Sequence, residues 1–265
     1  MKKLLVPTDF SDNANNALAY AIYLANIFGS EITLLNSYKV YTATGSLTSV
    51  EPYIREDSER ELQTIVDRYS SQLTGDATMV TKILKGDTVG TIARTADTGY
   101  DLVVMGTQGA SGMAEIFIGS TTNGVIKNTK TPVLAIPEKF AYRPIENIVM
   151  AVDEEEAFQE TLLTPLVAIA KQSSAMLRLY HKDVANDGMN TAIDKFLEGI
   201  ERTYHYELDS DNVNESINRF VKEQNADLLC MIRRQRSFIE NIFHDSVTTN
   251  EVFNSPVPLL ILQEK

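Results

Sequence analysis

The sequence predicts an α/β protein made of two tandem domains, each with a parallel sheet covered by helices. Short apolar runs alternate with segments of helical periodicity along all 265 residues,. The runs are continuously apolar, which is typical of parallel strands buried on both faces. In addition, residues 101–136 align without a gap onto residues 227–262. Such self-similarity indicates a duplication, and we place the joint so that the domains are residues 1–140 and 141–265.

The first domain is predicted to contain five strands and four helices. The strands are expected at 3–8, 31–37, 78–84, 101–105 and 132–136, and the helices at 12–28, 51–74, 88–98 and 119–129,. Gly29 follows the first helix, where glycine commonly ends a helix. A polar linker separates the second strand from the second helix.

The second domain repeats this pattern without the linker. Its strands are expected at 147–152, 175–180, 203–208, 227–232 and 258–262, and its helices at 157–173, 189–200, 213–225 and 245–254,. The first strands also correspond, because residues 4–9 align with residues 148–153.

Composition narrows the function classes. Hydrophobic residues make up 43% and charged residues 23% of the chain, a balance typical of globular proteins. No apolar run reaches the roughly 20 residues that a membrane span needs, and Pro7, Thr8 and Asp9 interrupt the apolar start, so we expect a cytoplasmic protein without a membrane partner. The net charge is −12, which argues against a nucleic-acid partner.

A glycine motif follows the predicted strand 101–105. Gly106 and Gly109 are separated by two residues, and nine more residues lead to Gly119 and Ser120. Glycines at a strand end allow a ligand close to the backbone, and a helix start offers N–H groups to phosphate oxygens. The spacing fits neither the Walker A nor the dinucleotide pattern. The motif predicts a phosphate cradle, whereas ordinary turn glycines are the simpler alternative.

This spacing resembles the G-x2-G-x9-G-[ST] signature of the ATP-binding branch of the universal stress protein family. The segments 6–11 and 131–134 flank the motif in the family's order. The whole chain resembles a tandem member, which implies two doubly wound, five-stranded, Rossmann-like sheets of the adenine nucleotide hydrolase-like type with strand order 3-2-1-4-5. The resemblance also implies an intramolecular pseudo-dimer of the two domains, with a further homodimer and an unknown protein partner left open.

The resemblance places ATP, with Mg²⁺, against the ends of the first and fourth strands. It implies that Asp9 contacts the ribose and adenine end and that the backbone of Ser37 reads the adenine edge. The implied cofactor-binding residues are Pro7, Thr8, Asp9, Ser37, Met105, Gly106, Gln108, Gly109, Gly119, Ser120, Thr121 and Thr122. Asp9 could instead cap the first helix, and Ser120 is a candidate N-cap in either case. Gln108 departs from the basic or aromatic residue common in the family, which predicts weaker triphosphate binding.

The second domain has lost the motif. Ile232, Gln235 and Asp245 replace Gly106, Gly109 and Gly119, so we expect no ATP in that half. Its loop carries Arg233, Arg234 and Arg236 opposite the acidic run 153–156. These charges form either an effector site or a plug of surface ion pairs, and we favour the plug.

Catalysis has little support in the sequence. The histidines His181, His205 and His244 lie in the second domain without zinc-ligand spacing, so no metal site is expected,. Cys230 lies in an apolar strand and is expected in the core. The leading hypothesis is an ATP-binding stress sensor or adaptor. The alternatives are a slow ATPase or nucleotidyl-transfer enzyme and an interaction module with an empty or apolar-ligand pocket.

Overall fold

The structure is a computed structural model that describes residues 1–40, 50–107, 118–152, 160–182, 191–207, 213–233 and 255–264. These residues fall into two compact units. The first holds the described residues before 108 and residues 119–131, and the second holds Ile118 and those from 132 onward. In the part of the chain so described, no helix is long and apolar enough to cross a membrane.

The first unit alternates strands and helices as predicted. Its strands are β1 (Lys3–Pro7), β2 (Glu31–Tyr38), β3 (Thr78–Lys85) and β4 (Leu102–Gly106), and its helices are α1 (Asp12–Phe28), α2 (Glu51–Tyr69), α3 (Thr88–Ala96) and α4 (Ser120–Asn128). A 3-10 turn, Ser70–Gln72, follows α2. The strand order is β3-β2-β1-β4, with all pairs parallel.

Local sequence explains the bounds of α1. The Ser11 hydroxyl accepts a hydrogen bond from the Ala14 N–H at 3.2 Å and so caps the helix start,. Gly29 ends the helix with φ +62°, a left-handed conformation that glycine adopts without steric cost,. One face of α1 packs on a sheet whose β1 side chains Leu4, Leu5 and Val6 have no exposed surface.

The second unit contains six strands and three helices among its described residues. The strands are β5 (Val133–Ile136), β6 (Asn147–Val152), β7 (Met176–Lys182), β8 (Arg202–Glu207), β9 (Leu228–Arg233) and β10 (Leu259–Gln263), and the helices are α5 (Glu160–Ser173), α6 (Thr191–Asp194) and α7 (Val213–Glu223). Their order is β5-β10-β9-β6-β7-β8, in which only the β5–β10 pair is antiparallel.

The predicted fold class is confirmed. Strands β6 to β10 reproduce the complete 3-2-1-4-5 order, and the first unit shows its 3-2-1-4 part.

In both repeats an aspartate side chain accepts hydrogen bonds from the backbone at the start of the first strand. Asp101 Oδ2 accepts hydrogen bonds from the Lys2 and Lys3 N–H groups at 2.5 and 3.0 Å. Asp227 Oδ2 accepts two equivalent bonds from residues 146–147 at 2.9 Å.

The helix predicted at 189–200 is wrong in length, because α6 spans only Thr191–Asp194. The next three backbone bonds run from Phe196, Leu197 and Ile200 to carbonyls three residues back, which produces turns rather than an α-helix,. Gly199 then adopts φ +77°. The helix predicted at 245–254 lies outside the described residues.

Candidate functional site

A cavity of about 320 Å³ lies at the carboxyl ends of β1, β2 and β4, within the first unit. It is lined by Pro7, Thr8, Asp9, Ala14, Leu35, Asn36, Ser37, Thr88, Ile92, Met105, Gly106, Gly119, Ser120, Thr121 and Thr122. This volume falls in the range of small-molecule sites, and the sheet edge is where doubly wound folds bind ligands.

The ends of β1 and β2 are tied together on one side of the cavity. The Thr8 N–H donates to the Leu35 carbonyl at 2.8 Å, and the buried Asn36 side chain donates to the Thr8 carbonyl at 2.9 Å. The Phe10 N–H donates to Thr8 Oγ1 at 3.0 Å, and Phe10 adopts φ +66°. A left-handed aromatic residue is uncommon and indicates a tightly determined turn. Ser37, the next residue of β2, lines the cavity.

Asp9 stands in the turn between β1 and α1, with its side chain exposed. Its Oδ1 accepts hydrogen bonds from the Ser11 N–H at 3.2 Å and the Ser11 hydroxyl at 2.6 Å. Ser11, not Asp9, is the N-cap of α1. The capping alternative for Asp9 therefore does not hold, and its carboxylate lies at the cavity as an acceptor.

Gly106, at the end of β4, lies against the start of α1. A Cβ added to Gly106 would lie 2.4 Å from Asn13 Nδ2, 2.6 Å from its Cγ and 2.7 Å from its Oδ1. Asn13 is buried and belongs to the first turn of α1. The sequence suggested that this glycine makes room for a ligand, and the structure adds a second reason, which is close packing against Asn13.

Two hydrogen bonds bring the first and last glycines of the motif to the same place. The Thr122 hydroxyl donates to the Gly106 carbonyl at 2.7 Å, and the Gly119 N–H donates to the Thr107 carbonyl. The start of α4 is therefore fastened to the end of β4. Gln108 and Gly109, which were also predicted to bind the cofactor, lie outside the described residues.

The start of α4 has the features of an anion site. Its N-cap is Gly119, with φ −57° and ψ 157°, and glycine has no side chain with which to cap the helix. Ser120, expected as a candidate N-cap, is instead the first helical residue. The first N–H groups of a helix have no partner within it, and such groups are well suited to bind an anion.

The wall contributed by α3 was missed by the sequence analysis. Thr88 and Ile92 of α3 line the cavity. The sequence offered one indication of this, because α3 begins at the sheet edge where the parallel strands end. The Asp87 side chain caps α3 by accepting from the Gly90 N–H at 2.8 Å. Lys39 lies 2.8 Å from the same carboxylate. The hydrogen bond from Lys39 is the main reason why the pKa of Asp87 lies below its ordinary value, and the hydrogen bond from the Gly90 N–H is the second.

The cavity carries little charge. Among its described lining residues, Asp9 alone has an ionisable side chain. The described parts of the chain also contain no group of three or more His, Cys, Asp or Glu residues that could hold a metal ion. The cavity can therefore supply polar donors, an acceptor and apolar walls, and its described part contains no basic side chain.

The second domain differs at the corresponding strand end. Ile232 occupies the position equivalent to Gly106 and is buried. The other predicted replacements, Gln235 and Asp245, lie outside the described residues, as do Arg234, Arg236 and the acidic run 153–156.

The described histidines lie in aromatic surroundings. His181 is 4% exposed and stacks on Tyr206 with ring centroids 4.9 Å apart, and burial lowers its pKa. The His205 ring lies 4.8 Å from that of Phe220. His244 lies outside the described residues. Cys230 is fully buried, as predicted.

The fold and the cavity define a class of doubly wound α/β proteins that bind ligands beyond the carboxyl edge of the sheet. The model of the universal stress protein family matches residues 1–137 and 152–263. The chain therefore belongs to the universal stress protein family, in its tandem form.

Two universal stress proteins of Methanocaldococcus jannaschii are similar to about half of the chain. One is 30% identical over 146 residues, which cover 51% of this chain and 81% of the relative. The other is 28% identical over 157 residues, which cover 52% and 96%. The crystal structure of a universal stress protein from Archaeoglobus fulgidus has a TM-score of 0.74 at 24% identity and covers 99% of this chain and 98% of its own. That structure supports the tandem fold along the whole chain.

Proposed function

We propose that the first domain binds ATP at one site per chain and that the complex acts in the cytoplasm as a nucleotide-dependent sensor or adaptor of the stress response. The observation that carries this proposal is the cavity at the strand ends. All of the predicted cofactor-binding residues that the structure describes line it. They come from four separate segments of the chain, and the fold brings these segments together around one cavity.

The chemistry of the lining fits an adenine nucleotide. Apolar side chains such as Leu35, Ile92 and Met105 suit the faces of a purine ring,. The start of α4, where the N-cap is a glycine, suits phosphate oxygens, and the hydroxyl groups of residues 120–122 add further donors,. The Asp9 carboxylate suits a ribose hydroxyl. ATP would bring its own Mg²⁺, which is usually held by phosphates and water with few protein ligands.

A role in sensing is favoured over rapid catalysis. The described lining contains no lysine, arginine or histidine that could stabilise a transferring phosphoryl group. Loss of such a cation from enzymes that use one lowers the rate by about 10³–10⁵. Hydrolysis by the isolated chain should therefore be far below the ~10 s⁻¹ typical of enzymes. Phosphate release at several turnovers per second would favour the ATPase alternative instead.

The binding site is tested by two matched substitutions at Gly119. Gly119→Asp and Gly119→Asn have nearly the same size, and both residues are good N-caps, so α4 should form in either variant. Only the aspartate adds a negative charge where the phosphates are proposed to lie. We expect ATP binding to Gly119→Asp to be weaker than to Gly119→Asn by roughly tenfold or more.

Isothermal titration calorimetry on the full chain measures both the affinity and the number of sites. A stoichiometry of one with the expected ranking supports the proposal, and circular dichroism checks that both variants fold. Two equivalent ATP sites per chain, or equal affinity in the two variants, would contradict it.

A further inference from the structure

A second cavity, of about 340 Å³, lies in the second unit between α5 and the segment that follows α6. It is lined by Thr164, Val167, Ala168, Lys171, Lys195, Phe196 and Glu198. None of these residues belongs to the nucleotide cavity, and the glycine motif has no part in it. The two cavities therefore share no lining residue.

One wall of this cavity is a single face of α5. Thr164, Val167, Ala168 and Lys171 follow the three- and four-residue spacing that places side chains on one side of a helix,. Val167 and Ala168 are half-buried, whereas Lys171 is exposed. This face therefore offers an apolar floor with an ammonium group at one end.

The opposite wall is held in place by Arg202. Its Nε donates to Asp194 Oδ1 at 2.9 Å, and its Nη1 donates to the carbonyls of Leu197 and Ile200 at 3.1 and 3.2 Å. Leu197 itself is fully buried. The cavity-lining residues 195–198 are carried on this anchored segment, so the wall is preformed rather than dependent on a ligand.

The side chains that line this cavity carry a net positive charge, whereas the protein as a whole is negatively charged. Lys171 and Lys195 take part in none of the ion pairs formed among the described residues. The Lys195 ammonium lies 4.7 Å from the centre of the Phe196 ring. With Glu198 included, the lining has a net charge of +1 in a chain whose net charge is −12. Two ammonium groups beside an apolar floor favour an anion with an apolar body.

We propose that this cavity binds a small amphipathic monoanion, such as an aromatic or medium-chain carboxylate. The carboxylate is held by Lys171 and Lys195, and the apolar body packs against Val167, Ala168 and Phe196. Glu198 and the acidic surface of the protein disfavour polyanions, including nucleotides, by charge repulsion. The second domain, which has lost the glycine motif, thereby has a ligand site of a different chemistry.

The probe for this proposal is 2-naphthoate, added to the full chain without nucleotide and followed by calorimetry and by amide NMR shifts. We expect one site, with shifts concentrated in α5 and residues 195–199. Lys171→Gln combined with Lys195→Gln should weaken binding about tenfold, from the loss of two partly exposed charge-assisted contacts. Lys222→Gln, an exposed lysine of α7, should bind as the wild type does. The neutral alcohol 2-naphthylmethanol should bind more weakly than the acid.

The proposal is overturned if 2-naphthoate fails to bind at millimolar concentration, if the double variant binds it with wild-type affinity, or if the alcohol binds equally well. Displacement of 2-naphthoate by saturating ATP would also overturn it, because the probe would then occupy the nucleotide cavity. The direct titration with 2-naphthoate is carried out before any ATP is added, so its outcome is independent of whether the first domain binds ATP.

Discussion

Replacing Gly106 by alanine tests whether close packing against α1 fixes the end of β4. The new Cβ would lie 2.4–2.7 Å from three atoms of the Asn13 amide, whereas real Cβ contacts essentially never fall below 3.0 Å. Asn13 is 5% exposed, so its side chain has little room to move aside. Overpacking of this kind costs about 1–3 kcal/mol, and we expect a loss near 2 kcal/mol in the stability of the first domain.

The assay is urea unfolding followed through the amide NMR signals of β1 and β4, because a two-domain chain need not unfold in one step. The matched control is Asn13→Ala, which removes the atoms that clash. If the clash is the cause, the double variant Gly106→Ala with Asn13→Ala should be more stable than the sum of the single effects predicts. The coupling should be about 1–2 kcal/mol, within the range seen for residues in contact.

Strictly additive effects, with a coupling below about 0.5 kcal/mol, would refute this reasoning. So would a Gly106→Ala variant as stable as the wild type. In either case glycine at this position would have to be explained by the ligand alone.

Three further predictions concern titratable groups. Burial lowers the pKa of His181, so the folded state favours the neutral ring and the second domain should lose stability as the pH falls below about 6.5. In His181→Phe the urea midpoint should fall less steeply with decreasing pH, and equal pH dependence of the midpoints in variant and wild type would contradict this prediction. Burial acts to raise the pKa of Asp97, but hydrogen bonds from residues 129–131 outweigh it and the pKa is lowered. Asp97→Ala should therefore destabilise the first domain at pH 7, by about 1 kcal/mol because the carboxylate is exposed to solvent,. The difference from the wild type should shrink as the pH falls below about 4, because the carboxylate of the unfolded chain takes up a proton before that of the folded chain does; an equal loss at pH 7 and in strong acid would be inconsistent. Burial raises the pKa of the Cys230 thiol, so Ellman's reagent should label it only in denaturant, and rapid labelling of the folded protein would be the contrary result.

The elements that the sequence predicted well are those specified by local signals. The start and end of α1 depend on Ser11 and Gly29, which directly flank the helix in the sequence. The helix predicted at 189–200 failed because its apolar spacing fits either a helix or successive turns. The choice between them is associated with Arg202, whose side chain binds the turn carbonyls from the neighbouring strand. Such a contact is tertiary and has no local signature.

The same distinction applies to the candidate site. The glycines and hydroxyls of the motif could be named because their spacing resembles a known family. Asn36 could not, since its role is to tie β2 to β1, and this depends on which strands are neighbours. Thr88 and Ile92 line the cavity for a similar reason. The contact of Gly106 with Asn13 joins residues that are far apart in sequence, and only the folded chain shows it.

The pairing of β5 with β10 has a symmetry that bears on the history of the chain. Leu134 pairs with Leu260, and on either side Val133 pairs with Ile261 and Ala135 with Leu259. Under the alignment of the two repeats, Leu134 and Leu260 are the same position, so each strand meets its own counterpart in reverse. An ancestor with one repeat could have formed the same contact only by dimerising. In the duplicated chain both strands of the pair belong to one polypeptide, so the pairing no longer depends on a second molecule.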